Sequence, residues 1–252
     1  MTDRNRELKG KVAIITGSAR NIGRATAEEL ARAGASVTIN AVKAQNLCDK
    51  VADGINKSGG SAISVPADIT KQDGVDRLAN ETIAAFGGID ILILNAAIRI
   101  DVGFPERTFK NWRQTFAVAV DGGLRLSMAC VPSMIERGGG SVVGIHGMQS
   151  YTAAAAKSPA VKDAQAGMLR GMARDLGENN INCNIAVVGP FDTDRAGGSG
   201  ELAVPKISDT IPIGRRGTPQ DMADAVRFLV GPFGHYISGQ TLHLNGGIHM
   251  PH

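Results

Sequence analysis

The chain is poor in aromatics: seven Phe, two Tyr and one Trp make up 4% of its 252 residues, which argues against a stacking pocket for a polycyclic ligand. Cysteine is scarce as well. Cys48, Cys130 and Cys183 are scattered, without a metal-ligand spacing or a disulfide framework, and read as small core residues in a reducing compartment. Neither sign of charge dominates. A formal +3, dispersed along the chain, offers no basic stripe for nucleic acid or for a membrane surface. No apolar run approaches the ~20 residues that span a bilayer, and the amino terminus, MTDRNRELKG, is polar. A cytoplasmic location is expected. No linker, repeat or low-complexity tract divides the chain, and 43% hydrophobic residues suffice for a sizeable core, so residues 1–252 are expected to form one domain.

What the sequence does contain is a rhythm of short β-rich runs alternating with helical stretches. The runs are Val12 to Ile15, Ser36 to Asn40, Ala62 to Val65, Ile89 to Leu94, Ser141 to Ile145, Ile181 to Val187 and Gln240 to Leu244. This pattern predicts an α/β fold with a parallel sheet covered on both faces. VAIIT and ILIL are almost continuously apolar, as strands buried on two sides should be. Long helical segments are expected over Glu106 to Glu136 and Ser158 to Gly177, with two-fold packing between subunits as one use for them. The polar, glycine-rich stretch Arg195 to Asp209 reads either as a mobile loop near a substrate or as an inert excursion.

The first run leads into Thr16-Gly17-Ser18-Ala19-Arg20-Asn21-Ile22-Gly23 and then into a helical pattern that ends at Gly34. Glycines in such a strand-turn-helix let the main chain approach a pyrophosphate, and the unpaired amides and dipole of the helix start favour its charge. The competing reading is a structural turn. The helical pattern that follows, with Glu28 and Glu29 ahead of Arg32, favours the phosphate.

From about Gly10 to Met250 the chain resembles the short-chain dehydrogenases/reductases. The likeness rests on TGSARNIG, on Asp68 and Ile69 in PADIT, on LNAA at Leu94 to Ala97, and on Trp112 opening a long helix. The tail adds Pro212-Ile213-Gly214-Arg215-Arg216-Gly217-Thr218-Pro219, Ser238-Gly239-Gln240-Thr241 and Asn245-Gly246-Gly247, similar to the branch that reduces ketones on acyl carrier protein. The resemblance implies a doubly wound Rossmann fold with a seven-stranded parallel sheet, a nicotinamide cofactor and a tetramer, with a dimer as the smaller alternative. It also implies that Gly17, Ser18, Arg20, Asn21, Ile22, Gly23, Asn40, Asp68, Ile69, Asn95, Ala96, Lys162, Gly189 and Thr193 face the cofactor. Asp68 corresponds to the acid near adenine, and Thr193 to a contact with the carboxamide or phosphate.

Charge bears on which cofactor. An acid at the end of the second strand would bind the ribose hydroxyls of NAD and repel a 2'-phosphate. Here that strand ends Ile39-Asn40-Ala41-Val42-Lys43. Arg20 and Lys43 would add positive charge at the phosphate, so NADP(H) is expected over NAD, the alternative being two solvated surface cations.

The family's chemistry uses Asn, Ser, Tyr and Lys, and this chain departs from it. Aligned on Ala173-Arg174-Asp175-Leu176-Gly177, the lysine falls on Lys162 and the tyrosine on Ser158; the asparagine falls on Ala119, and the serine on Gly147, or on His146 with the loop shifted. Ser158 precedes Pro159 and fits a helix N-cap as well as it fits a catalyst. Lys162, a cation in the first turns of a helix, suits a ribose contact better than helix stability. His146 at a strand end and Tyr151 in the following loop are the candidate replacement acids, against plain structural roles for both. Two expectations follow. One is an oxidoreductase transferring hydride between NADP(H) and a small carbonyl, alcohol or imine with an atypical acid/base. The other is a protein that keeps the dinucleotide and performs no redox step.

Overall fold

The computed structural model describes residues 6–100, 102–152, 159–194 and 210–250. Seven strands form one sheet: β1 (Val12–Ile15), β2 (Ser36–Ile39), β3 (Ser61–Ser64), β4 (Ile91–Leu94), β5 (Gly140–Gly147), β6 (Ile181–Val188) and β7 (Thr241–Leu244). Their order is β3-β2-β1-β4-β5-β6-β7, and every pairing is parallel. Each run read from the sequence is a strand, with ends that coincide or differ by at most two residues. Hydrogen-bond register with neighbours, which apolarity does not encode, sets those ends.

The strands bury alternate side chains on opposite faces. Ala13, Ile15, Ile91, Ile93, Val143 and Ile145 join the core beneath α1 (Asn21–Arg32), α2 (Gln45–Lys57) and α8 (Pro219–Val230). Ile14, Leu92, Leu94, Val142 and Cys183 join the other, beneath α3 (Gln72–Phe86), α5 (Gly122–Glu136) and α7 (Pro159–Asp175). On the first face Arg227 of α8 donates to the buried Glu29 of α1 at 2.6 Å and to Glu7 at 2.7 Å. That pairing satisfies a carboxylate which would be costly to bury alone.

The segment expected over Glu106 to Glu136 is a composite. Helix α4 (Phe109–Phe116) starts on Thr108, whose hydroxyl accepts the Asn111 amide, and passes through a π turn (Ala117–Asp121) into α5. The rod Phe109–Glu136 has 28 residues and includes an 18-residue stretch of mean hydropathy 1.3, enough by length and composition alone to cross a membrane. Arg113, Asp121 and Arg125 interrupt it, and 44% of its apolar window is buried inside the fold. Helix α7 begins at Pro159 and ends at Asp175, short of Gly177. Ser158 and the stretch Arg195 to Asp209 lie outside the described residues.

Candidate active site at the carboxyl ends of the strands

The strand order reverses between β1 and β4, and a crevice opens above such a switch point. Here the β1–α1 turn is fixed by side chains from both neighbours. The Thr16 hydroxyl donates to Ile93 O at 3.1 Å and accepts the amides of Asn95 and Ala96, each at 3.0 Å. Asn95 Nδ2 returns to the carbonyls of Thr16 (2.8 Å) and Gly17 (3.0 Å). Gly17 has φ +65°, and a β-carbon on Gly23 would stand 2.5 Å from Gly17 O and 2.6 Å from Asn95 Nδ2. Only glycines permit this closeness.

Helix α1 starts from Arg20, which provides no capping side chain. The first-turn amides of a helix lack intrahelical acceptors, so this turn is formed to meet an anion. A nicotinamide dinucleotide fits that cradle: its pyrophosphate would face the amides of Arg20 to Gly23. Exposed Arg20 stands at the cradle's edge, and Ile22 is half-buried in the helix start.

Four side chains expected at the cofactor are used otherwise. Ser18 is buried; its hydroxyl donates to Ile15 O at 2.7 Å and accepts the Asn40 amide at 2.9 Å. Asn40 is buried too, and its Nδ2 donates to the carbonyls of Val65 (3.1 Å) and Ala67 (3.2 Å). Both therefore shape the turn and the ends of β2 and β3. The Ile69 side chain lies in the core, and the Asn95 amide group is spent on the turn.

Asp68 remains at the rim, half-buried. Burial pushes its carboxyl up, but hydrogen bonds from the Thr70 hydroxyl and amide, with Lys71 nearby, outweigh it and hold Asp68 below the usual range. Ala96 follows Asn95 at the end of β4. Gly189 packs so closely on Asn245 that a β-carbon would come within 2.6 Å of its Cα, and half-buried Thr193 lies four residues beyond it.

Next to this turn is a cleft of ≈ 200 Å³, with Asn95, Arg99, Ala119, His146, Gly147 and Lys162 in its wall. Lys162, half-buried, sends its ammonium to Ile145 O at 2.7 Å and Gln165 Oε1 at 3.2 Å. Gln165 Nε2 in turn donates at 2.8 Å to Ala119 O in the π turn. Desolvation brings the Lys162 pKa down to about 8.

Of the two candidate replacement acids, His146 lies in the wall of the cleft and Tyr151 does not. The imidazole of His146 is turned back along β5, its Nε2 3.5 Å from where a Gly144 β-carbon would be, under Leu169 and Gln165 of α7. Burial, then the charge of Lys162, pushes its pKa down to about 2 against a weak upward pull from Gln165, so the ring is neutral at working pH. Neither nitrogen has a hydrogen bond of sound geometry. Tyr151, in α6 (Gln149–Thr152), packs edge-on against His243 at 4.4 Å between ring centroids, with His249 at 6.0 Å, outside the wall of the cleft. Gln165, Gly144 and Arg99 were not singled out from the sequence. The i, i+3 spacing of Lys162 and Gln165 on one helix face is the signal by which the first could have been found.

Sheet order and a turn of this shape define a doubly wound, Rossmann-like α/β protein. Comparison with known proteins narrows the class. The family described as enoyl-(acyl carrier protein) reductase matches residues 17–249. The 3-oxoacyl-(acyl-carrier-protein) reductase of Aquifex aeolicus is 30% identical over 244 residues, covering 96% of this chain and 98% of that protein. Among solved structures, a blue fluorescent protein from a metagenomic library, in complex with NADPH, superposes with a TM-score of 0.89 at 31% identity, covering 97% of this chain and 100% of that one. A 7α-hydroxysteroid dehydrogenase complexed with NADH and 7-oxo glycochenodeoxycholic acid gives 0.90 at 33% identity, with 98% and 97% covered. The chain belongs to the short-chain dehydrogenases/reductases, a family of oxidoreductases.

Proposed function

We propose that this protein, acting as one dinucleotide-binding unit over residues 1–252, is an NADP(H)-dependent oxidoreductase of small carbonyl, alcohol or imine substrates with an atypical acid/base. The observation that carries the reading is the uncapped, glycine-pinned turn at the β1–β4 switch point, set beside a cleft that contains Lys162. Solved neighbours are seen with NADPH and with NADP, and one with NADH, so kinship favours NADP(H). Residues agree: no carboxylate ends β2, and Arg20 is exposed at the cradle's edge. A 2'-phosphate meets a cation there and no anion.

NADPH, when bound, supplies the hydride. The chain's contribution is to hold the dinucleotide on α1, keep Lys162 charged between two acceptors, and present the apolar walls of Ile98, Ile100, Val161 and Val188 to a substrate. A second reading, binding without turnover, is favoured by one observation: Ala119 and Gly147, which the resemblance aligns with the family's Asn and, unless the loop is shifted onto His146, its Ser, bring no polar side chain to the cleft. Stopped-flow loss of NADPH absorbance against ketones and imines, paired with NADPH fluorescence titration, separates the two. Oxidation supports the first reading, and tight binding with no oxidation across the panel supports the second.

Association into a homotetramer, or a homodimer, is part of the proposal. Exposed Phe109, Leu124, Met128 and Ile135 on α4 and α5, with Phe228 on α8 and Leu242 on β7, give two apolar faces that a partner copy would cover. A cytoplasmic location is supported by three buried, unpaired cysteines. Sedimentation velocity tests the assembly, and a monomer at micromolar concentration overturns it.

A further inference from the structure

Building on the oxidoreductase reading, we propose that the Lys162 ammonium is itself the proton donor to the substrate's carbonyl oxygen, with Gln165 as its positioning residue. In the family pattern the lysine assists a tyrosine. Here the described wall of the cleft contains no such phenol. His146 shares the cleft wall but its ring nitrogens are buried and burial holds it neutral, Tyr151 is engaged with His243, and the hydroxyls of Thr115 and Ser150 donate to Trp112 O at 2.8 Å and Pro159 O at 3.4 Å. An ammonium carries three protons. Two of those on Lys162 are aimed at Ile145 O and Gln165 Oε1, which hold the group charged and fix its tilt. The third has no partner among the described residues, and Lys162 is part of the cleft wall.

Ala119 and Gly147 give that third N–H room, because a side chain longer than methyl is absent at both. Gln165 is held from behind by Ala119 O at 2.8 Å, so its Oε1 cannot swing away from Nζ without breaking that bond. Among the described residues, the charged or titratable groups that share the cleft wall with Lys162 are His146 from β5 and Arg99; α4 and the π turn contribute neutral Thr115 and Ala119. A pKa brought down to about 8 makes the ammonium acidic enough to serve near neutrality.

The step balances as follows. As the carbonyl carbon accepts the hydride from NADPH, the carbon–oxygen π pair moves to oxygen. An O–H bond forms there as an N–H bond of Lys162 breaks. The carbonyl is reduced to the alcohol, NADPH is oxidised to NADP⁺, and the neutral amine regains its proton from water.

Two readouts test this, and one needs no substrate. In 13C-lysine-labelled protein, the Lys162 signal, identified by its loss in Lys162→Arg, should titrate near pH 8. Gln165→Leu removes an acceptor of the charged form and should lower that midpoint by about half a unit or more, while Gln165→Glu should raise it. A midpoint that ignores both substitutions overturns the positioning role, and one above about 10, the ordinary lysine range, overturns the donor role.

The second readout is single-turnover oxidation of bound NADPH by ethyl pyruvate. Its rate should decline about tenfold per pH unit above the same midpoint and follow it in the Gln165 variants. Lys162→Arg should bind NADPH within a fewfold of wild type, yet lose roughly a hundredfold or more in rate. An unchanged rate in Lys162→Arg overturns the proposal while the oxidoreductase reading stands. No NADPH binding, or binding without oxidation at any pH, overturns that reading and the donor role with it.

Discussion

Asn21 and Asp194 are joined by a reciprocal pair of hydrogen bonds: Asn21 Nδ2 donates to Asp194 O at 2.6 Å, and the Asp194 amide donates to Asn21 Oδ1 at 3.0 Å. The pair links the start of α1 to the segment after β6, which includes Thr193, and so holds the two sides of the crevice at a set distance. Asn21 adopts φ +51°, a left-handed conformation that asparagine tolerates better than most residues.

Asn21→Ala should weaken NADPH binding about tenfold, roughly 1.4 kcal/mol, by removing two hydrogen bonds and adding backbone strain. Asn21→Gly, which keeps the backbone freedom but not the clasp, should lie between alanine and wild type. Fluorescence titration of NADPH measures all three, and an alanine variant that binds like wild type would show the clasp to be irrelevant to the dinucleotide.

Gly23→Ala places a β-carbon 2.5 Å from Gly17 O. The turn must open, and the protein should lose about 1–3 kcal/mol of stability together with most of its NADPH affinity. Urea unfolding with and without NADPH checks both effects. Retained stabilisation by the cofactor would mean that the turn yields more easily than its packing implies.

Arg20→Ala should raise the Kd for NADPH about tenfold and leave that for NADH nearly unchanged, because the guanidinium addresses the 2'-phosphate. The difference should shrink at high salt, as it does for exposed charges. Equal losses for both nucleotides would place Arg20 at the pyrophosphate instead.

His146 makes the fold acid-sensitive. Its pKa is about 2 when folded against 6.5 for the free group, so below pH 6.5 the unfolded chain binds a proton that the folded chain refuses. The stability this group permits is complete above pH 6.5 and declines as pH falls, by about 1.4 kcal/mol per unit. His146→Leu should lessen the slope of stability against pH by about one proton between roughly pH 4.5 and 6. Denaturant titrations at several pH values give the slope; equal slopes in both proteins would show that the ring is protonated in the fold.

Much of the architecture was legible because it is written locally. VAIIT and ILIL are apolar throughout and became central strands, and Gly17 and Gly23 bracket a turn whose function depends on backbone freedom at those two places. Side-chain direction was harder. Ser18 and Asn40 look like ligand contacts in sequence, yet each is engaged by carbonyls and amides that only the assembled β1, β2 and β3 bring near. His146 is at the strand end where it was expected, but both ring nitrogens are buried there without a partner, while the room left by Gly144 is filled by Leu169 of α7.

By itself the sequence determined the parallel sheet, the glycine turn between β1 and α1 and the place of Lys162 one turn into α7, since each follows from patterns within a few residues of chain. Tertiary structure decided what Lys162 can do. Its partners, Ile145 O and Gln165, and the bond from Gln165 to Ala119 O join segments up to 46 residues apart. The clasp between Asn21 and Asp194 spans 173. Contacts at such separations are fixed by how helices pack on the sheet, which no local pattern specifies.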